Sequence, residues 1–326
     1  MQITFLGTSS GAPSLTRNMA SLVLRLPQRA SIWMFDCGEG TQHQALRVRM
    51  KLAHLERIFI THLHGDHIFG LPGLLASRSL QVSGRQPVVL YGPRGLEEFV
   101  QTALRLSQTM LSYPLEFVTV GEGIIFSGGG FTVACARTNH RIESFAYAVR
   151  EDDAPGHFDA AKAQALGVPF GPLYGRLKAG ETVTLPDGTV VDGKALVGPP
   201  RRGRSIVYTG DTIASDAVAV LAKGADVLIH ESTYLSADTE LADRAAHSTA
   251  LSAARAAAES GVRTLILTHF SARYEGSNGS RMSELLEEAR SVFPHTELAQ
   301  DLWTYAVSRR GQEAEEAAAD QTGNQK

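Results

Sequence analysis

The chain has 326 residues and a mass of 35.0 kDa, enough for one large core or two ordinary domains. Hydrophobic residues make up 43% and charged residues 20%, the balance of a globular protein in water. A formal net charge of -3 and a pI near 6.4 exclude a chain that binds nucleic acid through overall positive charge, while leaving room for a local patch or a metal.

In chain order, Met1-Gln2-Ile3-Thr4-Phe5-Leu6-Gly7 lacks the basic and apolar regions of a secretory leader and reads as a first strand, so a cytoplasmic location is expected. A turn-rich loop, Gly7 to Pro13, precedes strands at Ser21–Leu26 and Ile32–Phe35. Cys37 follows. With Cys135 it makes only two cysteines, which excludes a disulfide framework and a cysteine zinc knuckle; both read as small core residues in a reducing compartment.

A helix is expected over Gln42–Val48, then a buried strand over Arg57–Thr61 that runs into His62-Leu63-His64-Gly65-Asp66-His67. Asp66–Ser79 reads as helix interrupted near Pro72, Pro87–Tyr91 as strand, and Leu96–Thr109 as helix with leucines at helical spacing. Strands are predicted at Leu115–Thr119, Phe131–Ala136 and Phe145–Val149. No apolar run reaches the roughly 18 residues of a membrane span.

From Glu151 to Arg204 glycine and proline become dense and core runs scarce, which predicts a long inserted arm with small elements. Regular patterning resumes with strands at Ile206–Thr209, Val227–His230 and Thr264–Thr268, ending at Asp211, Glu231 and His269. Helices are expected at Ser248–Ser260, capped by Ser248 or Thr249, and at Arg281–Ser291, capped by Ser280. One last strand is expected within Glu297–Val307, and the polar stretch from Arg310 to Lys326 reads as a disordered tail. The catalytic domain is thus drawn over 1–309, with the arm inside it. Short strands with His or acidic residues at their C-terminal ends suit an α/β fold whose site gathers at that edge. Helices outside and strands inside suggest an αββα sandwich, although periodicity alone leaves the layering open.

Three imidazoles and a carboxylate stand within the six residues His62 to His67. His62 and His64, two apart past a strand, face one way, and Asp66 and His67 are free to face a second site. Such a cluster is costly unless a cation holds it, and its nitrogen and oxygen donors suit zinc, manganese or iron. A single-metal site is the bland rival. His140, Asp211 and His269, each after a strand, are weak signals alone and supply missing ligands together.

Thr61-His62-x-His64-x-Asp66-His67 and Tyr208-Thr209-Gly210-Asp211-Thr212 resemble the signature segments of the metallo-β-lactamase superfamily. That resemblance implies the αββα sandwich and assigns His62, His64 and His140 to one metal, Asp66, His67 and His269 to a second, and Asp211 to both. Two Zn²⁺ per subunit are implied, with Mn²⁺ as the alternative. Further segments resemble the ribonuclease Z family: Phe5-Leu6-Gly7-Thr8, Thr16-Arg17-Asn18, Phe35 to Gln42, Leu71 to Arg78, Gly156-His157-Phe158-Asp159, Gly171-Pro172, Leu177 to Gly180 and His247-Ser248-Thr249.

The family likeness implies a metal-dependent endoribonuclease that removes the 3′ trailer of precursor tRNA. It leaves a 3′-hydroxyl on the tRNA and a 5′-phosphate on the trailer. It also implies a homodimer and an arm that grips tRNA, with Arg176, Lys178, Lys194, Arg201, Arg202 and Arg204 as candidate phosphate contacts. Asp66 is the candidate to orient or deprotonate the attacking water, and His247 to protonate the leaving 3′ oxygen, steadied by an acid such as Glu231. The rivals are a phosphodiesterase of the same fold acting on small phosphodiesters, a glyoxalase-like thioesterase, and a catalytically inactive nucleic-acid-binding relative.

Overall fold

A computed structural model describes residues 1–81, 86–275 and 281–310. They form two compact units, residues 1–150 with 205–308, and 151–204 with 309 and 310.

The first unit is built on two seven-stranded sheets. One runs, edge to edge, Thr304–Ala306, Gln2–Gly7, Ser21–Leu26, Ser31–Phe35, Leu55–Phe59, Val88–Gly92 and Leu115–Thr119. The other runs Thr296–Leu298, Thr264–Thr268, Val227–Glu231, Ser205–Tyr208, Phe145–Glu151, Phe131–Arg137 and Gly123–Gly128. Alternate residues of a strand point to opposite faces. Trp33 and Phe35 join Phe5, Phe59, Tyr147, Ile206 and Ile266 in a core between the sheets. Ile32 and Met34 face the other way, under leucines of the helices at Leu71–Gln81 and Leu96–Leu106. Leu228, Leu265 and Leu267 likewise pack beneath alanines of the helix at Ala250–Ser260. With both faces of each sheet covered, strands such as Ser31–Phe35 are buried throughout and show no alternation. The layering is αββα.

The expected elements need several corrections. Gly123–Gly128 is an edge strand that glycines at both ends and largely exposed side chains conceal. Short helices at Asp216–Ala222 and Thr239–Ala245 were not read from the sequence. Glu297–Val307 holds two strands, Thr296–Leu298 and Thr304–Ala306, and each joins a different sheet. The helix after the His cluster breaks at Phe69 and Gly70, and Pro72 sits in the first turn of the next helix, where its missing N–H costs nothing. Thr249 is the cap of the Ala250–Ser260 helix, in a reciprocal capping box with Ser252. The Ser280 cap and the tail from Gly311 lie outside the described residues.

The second unit has its own small core. Phe158, Ala163, Val168, Leu177, Val183, Leu185, Val191 and Leu196 are buried together beneath helices at Ala160–Ala165 and Pro172–Lys178 and a hairpin of Thr182–Thr184 with Val190–Asp192. Asp159 caps the first of these helices, accepting from Lys162 N–H at 2.8 Å. Both cysteines of the chain are buried and unpaired.

Candidate metal centre

The strands Leu55–Phe59, Ser205–Tyr208, Val227–Glu231 and Thr264–Thr268 each run with a parallel neighbour, and their C-terminal ends carry His62, Asp211, Glu231 and His269. Gly210 takes φ +60° beside Asp211, and a Cβ there would meet Thr61 Cβ at 2.6 Å, so only glycine lets the two strand ends close up. Asp66 and His67 sit on the short helix Gly65–Ile68. His140 follows the strand Phe131–Arg137.

All seven expected ligands converge. The ligand atoms of His62, His64, His140 and Asp211 lie within 4.8 Å of one another, as do those of Asp66, His67, Asp211 and His269. Asp211 belongs to both sets. Its Oδ2 stands 3.7 Å from His62 Nε2, while its Oδ1 stands 3.4 Å from His67 Nε2 and 3.3 Å from His269 Nε2. His64 presents Nδ1, 3.2 Å from His140 Nε2. Asp66 Oδ2 lies 3.5 Å from His67 Nε2 and 3.4 Å from His269 Nε2.

Whether cations fit these residues is decided by what the atoms lack. His62 Nε2, His67 Nε2 and Asp211 Oδ1 are buried without a hydrogen-bond partner. Buried polar atoms are seldom left so, and three turned toward one space fit a cation. The opposite ring nitrogens are held from behind. His62 Nδ1 meets Thr61 Oγ1 at 3.0 Å, His67 Nδ1 donates to Asp36 Oδ2 at 2.8 Å, His140 Nδ1 donates to Ala246 O at 2.7 Å and His269 Nδ1 meets Thr233 Oγ1 at 3.0 Å. A proton fixed on Nδ1 leaves the Nε2 lone pair for a metal.

The charges agree. Burial alone would lower the pKa of His67, but the charges of Asp211, Asp36 and Asp66 outweigh it and raise it well above its ordinary range, the same pull those carboxylates would exert on a cation beside the ring. Burial would raise Asp211 and Asp66, yet the surrounding imidazoles keep both well below the usual carboxylate range. Burial lowers His62, His64 and His140, which favours neutral, ligating rings. The pocket is a concentration of negative potential that divalent cations would neutralise.

Beside it, His247 Nδ1 donates to Glu231 Oε1 at 2.8 Å, and the ring stacks on His269 with centroids 5.4 Å apart. Burial would lower the pKa of His247, but Glu231 overcomes this and raises it to about 9. The segment carrying His247 is pinned by Ser248 Oγ donating to Thr212 O and by the capping box at Thr249. Sequence reading passed over Thr233, whose hydroxyl touches both Glu231 and His269, and the backbone N–H of Gly11, which donates to Asp66 Oδ2 at 2.9 Å. Residues so distant in sequence leave no local pattern. Asp36 accepts from Thr61 N–H, Tyr208 OH and His67, which makes it a buried anchor of the centre.

In the second unit, the six basic candidates differ in surroundings. Arg204 is withdrawn from the set: it is buried and paired with Glu151 at 2.8 Å, so its guanidinium is committed. Arg176 pairs with Glu181 at 2.8 Å on the surface, and Lys178 stands over the Phe158 ring at 5.5 Å. Lys194, Arg201 and Arg202 are exposed. Residues 151–204 carry seven acidic and seven basic side chains, so net charge gives this unit no attraction for RNA. It does hold a groove of about 1020 Å³ lined by His157, Phe170, Tyr174, Lys178 and Arg201, among others. Phe170 is 93% exposed there.

Residues 1–154 match the family described as anti-Pycsar protein Apyc1, and residues 178–270 match the β-lactamase superfamily domain. The chain is 54% identical to ribonuclease Z of Nostoc sp. (strain PCC 7120 / SAG 25.82 / UTEX 2576) over 95% of its own length and 96% of that protein. It is 53% identical to ribonuclease Z of Brevibacillus brevis over 95% and 98%. Among solved structures it resembles the short form of human tRNase Z, with a TM-score of 0.66 and 31% identity over 94% of this chain and all of that one.

Proposed function

The chain belongs to the ribonuclease Z family, and from that premise we propose how its residues perform 3′ processing of precursor tRNA. It is a hydrolytic endoribonuclease of the metallo-β-lactamase fold that removes the 3′ trailer, leaving a 3′-hydroxyl on the tRNA and a 5′-phosphate on the trailer. The observation that carries the mechanistic reading is Asp211, with one oxygen toward each of two histidine sets and the Glu231–His247 pair alongside.

His62, His64 and His140 would hold one divalent ion, Asp66, His67 and His269 another, and Asp211 would serve both. Imidazole and carboxylate donors support zinc, two per subunit, with manganese as a substitute. Such ions supply Lewis acidity to a phosphodiester and to an attacking water. Asp66, steadied by the Gly11 N–H, takes the water's proton. His247, kept charged and oriented by Glu231, gives its proton to the departing 3′ oxygen. The leaving group is an alkoxide, so without that proton the P–O bond breaks against a steep barrier.

The arm reads tRNA through its groove. Phe170 and Tyr174 offer faces for bases or riboses, and Lys178, Arg201, Arg202, Lys194 and Arg176 offer cations for phosphates. A homodimer accompanies this reading, supported by the apolar side chains of Leu46 and Leu80, 59% and 90% exposed on helices that contact each other. No described helix is long and apolar enough to cross a membrane. The tRNA substrate and the two unpaired buried cysteines support a cytoplasmic site of action.

The test is cleavage of a precursor tRNA beside a small chromogenic phosphodiester by zinc-loaded protein. Trailer release that is lost in Asp66→Ala supports the reading. Hydrolysis of the small ester alone moves the function to a small-molecule phosphodiesterase.

A further inference from the structure

Two side-chain chains of the same design stand behind the centre. In the first, His62 Nδ1 meets Thr61 Oγ1 at 3.0 Å, Thr61 Oγ1 donates to Asp36 Oδ2 at 2.9 Å, and His67 Nδ1 donates to the same carboxylate at 2.8 Å. In the second, His269 Nδ1 meets Thr233 Oγ1 at 3.0 Å, Thr233 Oγ1 donates to Glu231 Oε2 at 2.6 Å, and His247 Nδ1 donates to Glu231 Oε1 at 2.8 Å. Each reads histidine, threonine, carboxylate, histidine. The first joins two ligands. The second joins a ligand to the proton donor.

Proton counting fixes the direction of the second chain. His269 Nε2 faces Asp211 and Asp66, where a cation fits, so its ring proton resides on Nδ1 and is donated to Thr233 Oγ1. A hydroxyl has one proton to give. The competing acceptor, His269 O, is farther at 3.1 Å and uncharged, so the proton goes to Glu231. Glu231 also accepts from Thr212 N–H at 2.8 Å, which leaves its Oε1 edge oriented at His247.

We infer that Thr233 is a positioning residue for the hydrolysis: its single hydroxyl fixes the ring proton of His269 and the orientation of the carboxylate that holds His247. This rests on the reading of His269 as a ligand and His247 as the proton donor. The centre and the donor are thereby set by one hydroxyl, and a change on either side is felt on the other.

Thr233→Val keeps the shape and removes the hydroxyl, while Thr233→Ser keeps the hydroxyl. With precursor tRNA and zinc-loaded full-length protein, Thr233→Val lowers kcat about 10- to 100-fold with KM unchanged, and it releases one of its two zinc ions to a chelator correspondingly more readily. Thr233→Ser returns both to within about threefold of wild type on the same scale. Wild-type kcat and zinc retention in Thr233→Val would overturn the inference. So would a Thr233→Ser protein as impaired as Thr233→Val, because restoring the hydroxyl would then restore nothing. A long-range ¹H–¹⁵N spectrum of zinc-loaded wild-type protein with ¹⁵N-histidine needs no variant to fold. It should show the His269 proton on Nδ1, and a proton on Nε2 sinks the inference. Failure of the hydrolytic reading looks different: wild type itself releases no trailer, and zinc retention and the ring proton still decide the role of Thr233.

Discussion

In the first unit five of the six candidate rings are gripped from behind: His62 by Thr61, His67 by Asp36, His140 by Ala246 O, His269 by Thr233 and His247 by Glu231. In the second, Phe170 stands almost wholly in solvent, and Arg176 is tied to a comparably exposed glutamate. On the proposed function the contrast separates two tasks. Chemistry on a phosphodiester needs donors fixed to a fraction of an ångström before substrate arrives. Gripping a large folded RNA tolerates side chains that settle on contact, at a cost in ordering entropy. Damage to the first unit should therefore appear in kcat and on every substrate, and damage to the second in KM and on tRNA alone.

The largest effect is expected from Asp211→Ala, which removes the carboxylate common to both ligand sets. Cleavage of precursor tRNA and of a small phosphodiester should both fall by at least ~10³-fold, about 4 kcal/mol of barrier, with metal content reduced. Near-normal turnover in that variant would break the two-ion reading. Next, His247→Ala should cost about 10²- to 10⁴-fold in kcat with both ions retained, as loss of a proton donor does. If the ions were lost as well, His247 would be acting as a ligand and not as a donor.

Removing residues 160–195 should impair precursor tRNA far more than the small ester. Within that arm the double change Phe170→Ala and Tyr174→Ala should raise KM about 10-fold or more, since each stacked base is worth ~1–3 kcal/mol. Equal losses on both substrates would erase the division of labour. Lys178→Ala and Arg201→Ala should each weaken tRNA binding a few-fold and flatten its salt dependence by about one phosphate contact, read from the slope of log affinity against log salt.

The smallest expected effect concerns the foundation of the arm. Burial pushes the Glu151 carboxyl up, but bonds to Arg204 and the charge of Arg309 outweigh it and bring its pKa below the ordinary 4.5. The stability this group adds is complete above that value and is lost as pH falls through the lower, folded one. Amide protection in residues 151–204 should thus fall at acidic pH, and Glu151→Gln should remove that dependence.

How much was legible follows from where each signal lies along the chain. His62 to His67 are packed into one segment behind a buried strand, so the candidate ligands announce themselves, and Asp211 and His269 end apolar runs. His247 was visible only through its likeness to a known segment, because nothing around it differs from an ordinary helix start. Thr233 was invisible: its partners lie at Glu231, His247 and His269, and only the fold unites them. The Gly123–Gly128 strand escaped because its apolar run, Ile124 to Phe126, is only three residues long and is bounded by glycine on one side and Ser127-Gly128 on the other. The arm's composition marked it as unusual, yet Phe170 and Tyr174, which help line its groove, sit in no sequence pattern that sets them apart, while the basic residues drew attention. Arg204, counted among them, serves its own unit instead.

The pairing of Gln2–Gly7 with Thr304–Ala306 has a consequence during synthesis. Thr4 and Thr304 share a hydrogen bond across 300 residues of chain. As the polypeptide leaves the ribosome, the outer side of Gln2–Gly7 waits for a partner that emerges some 300 residues later, and until then it offers bare backbone to any extended neighbour. His269 also arrives late. The nascent chain can therefore assemble most of its first sheet early, but neither that sheet nor the full set of candidate ligands closes until His269 and Thr304–Ala306 have been made, which delays hydrolytic competence in a cell full of RNA.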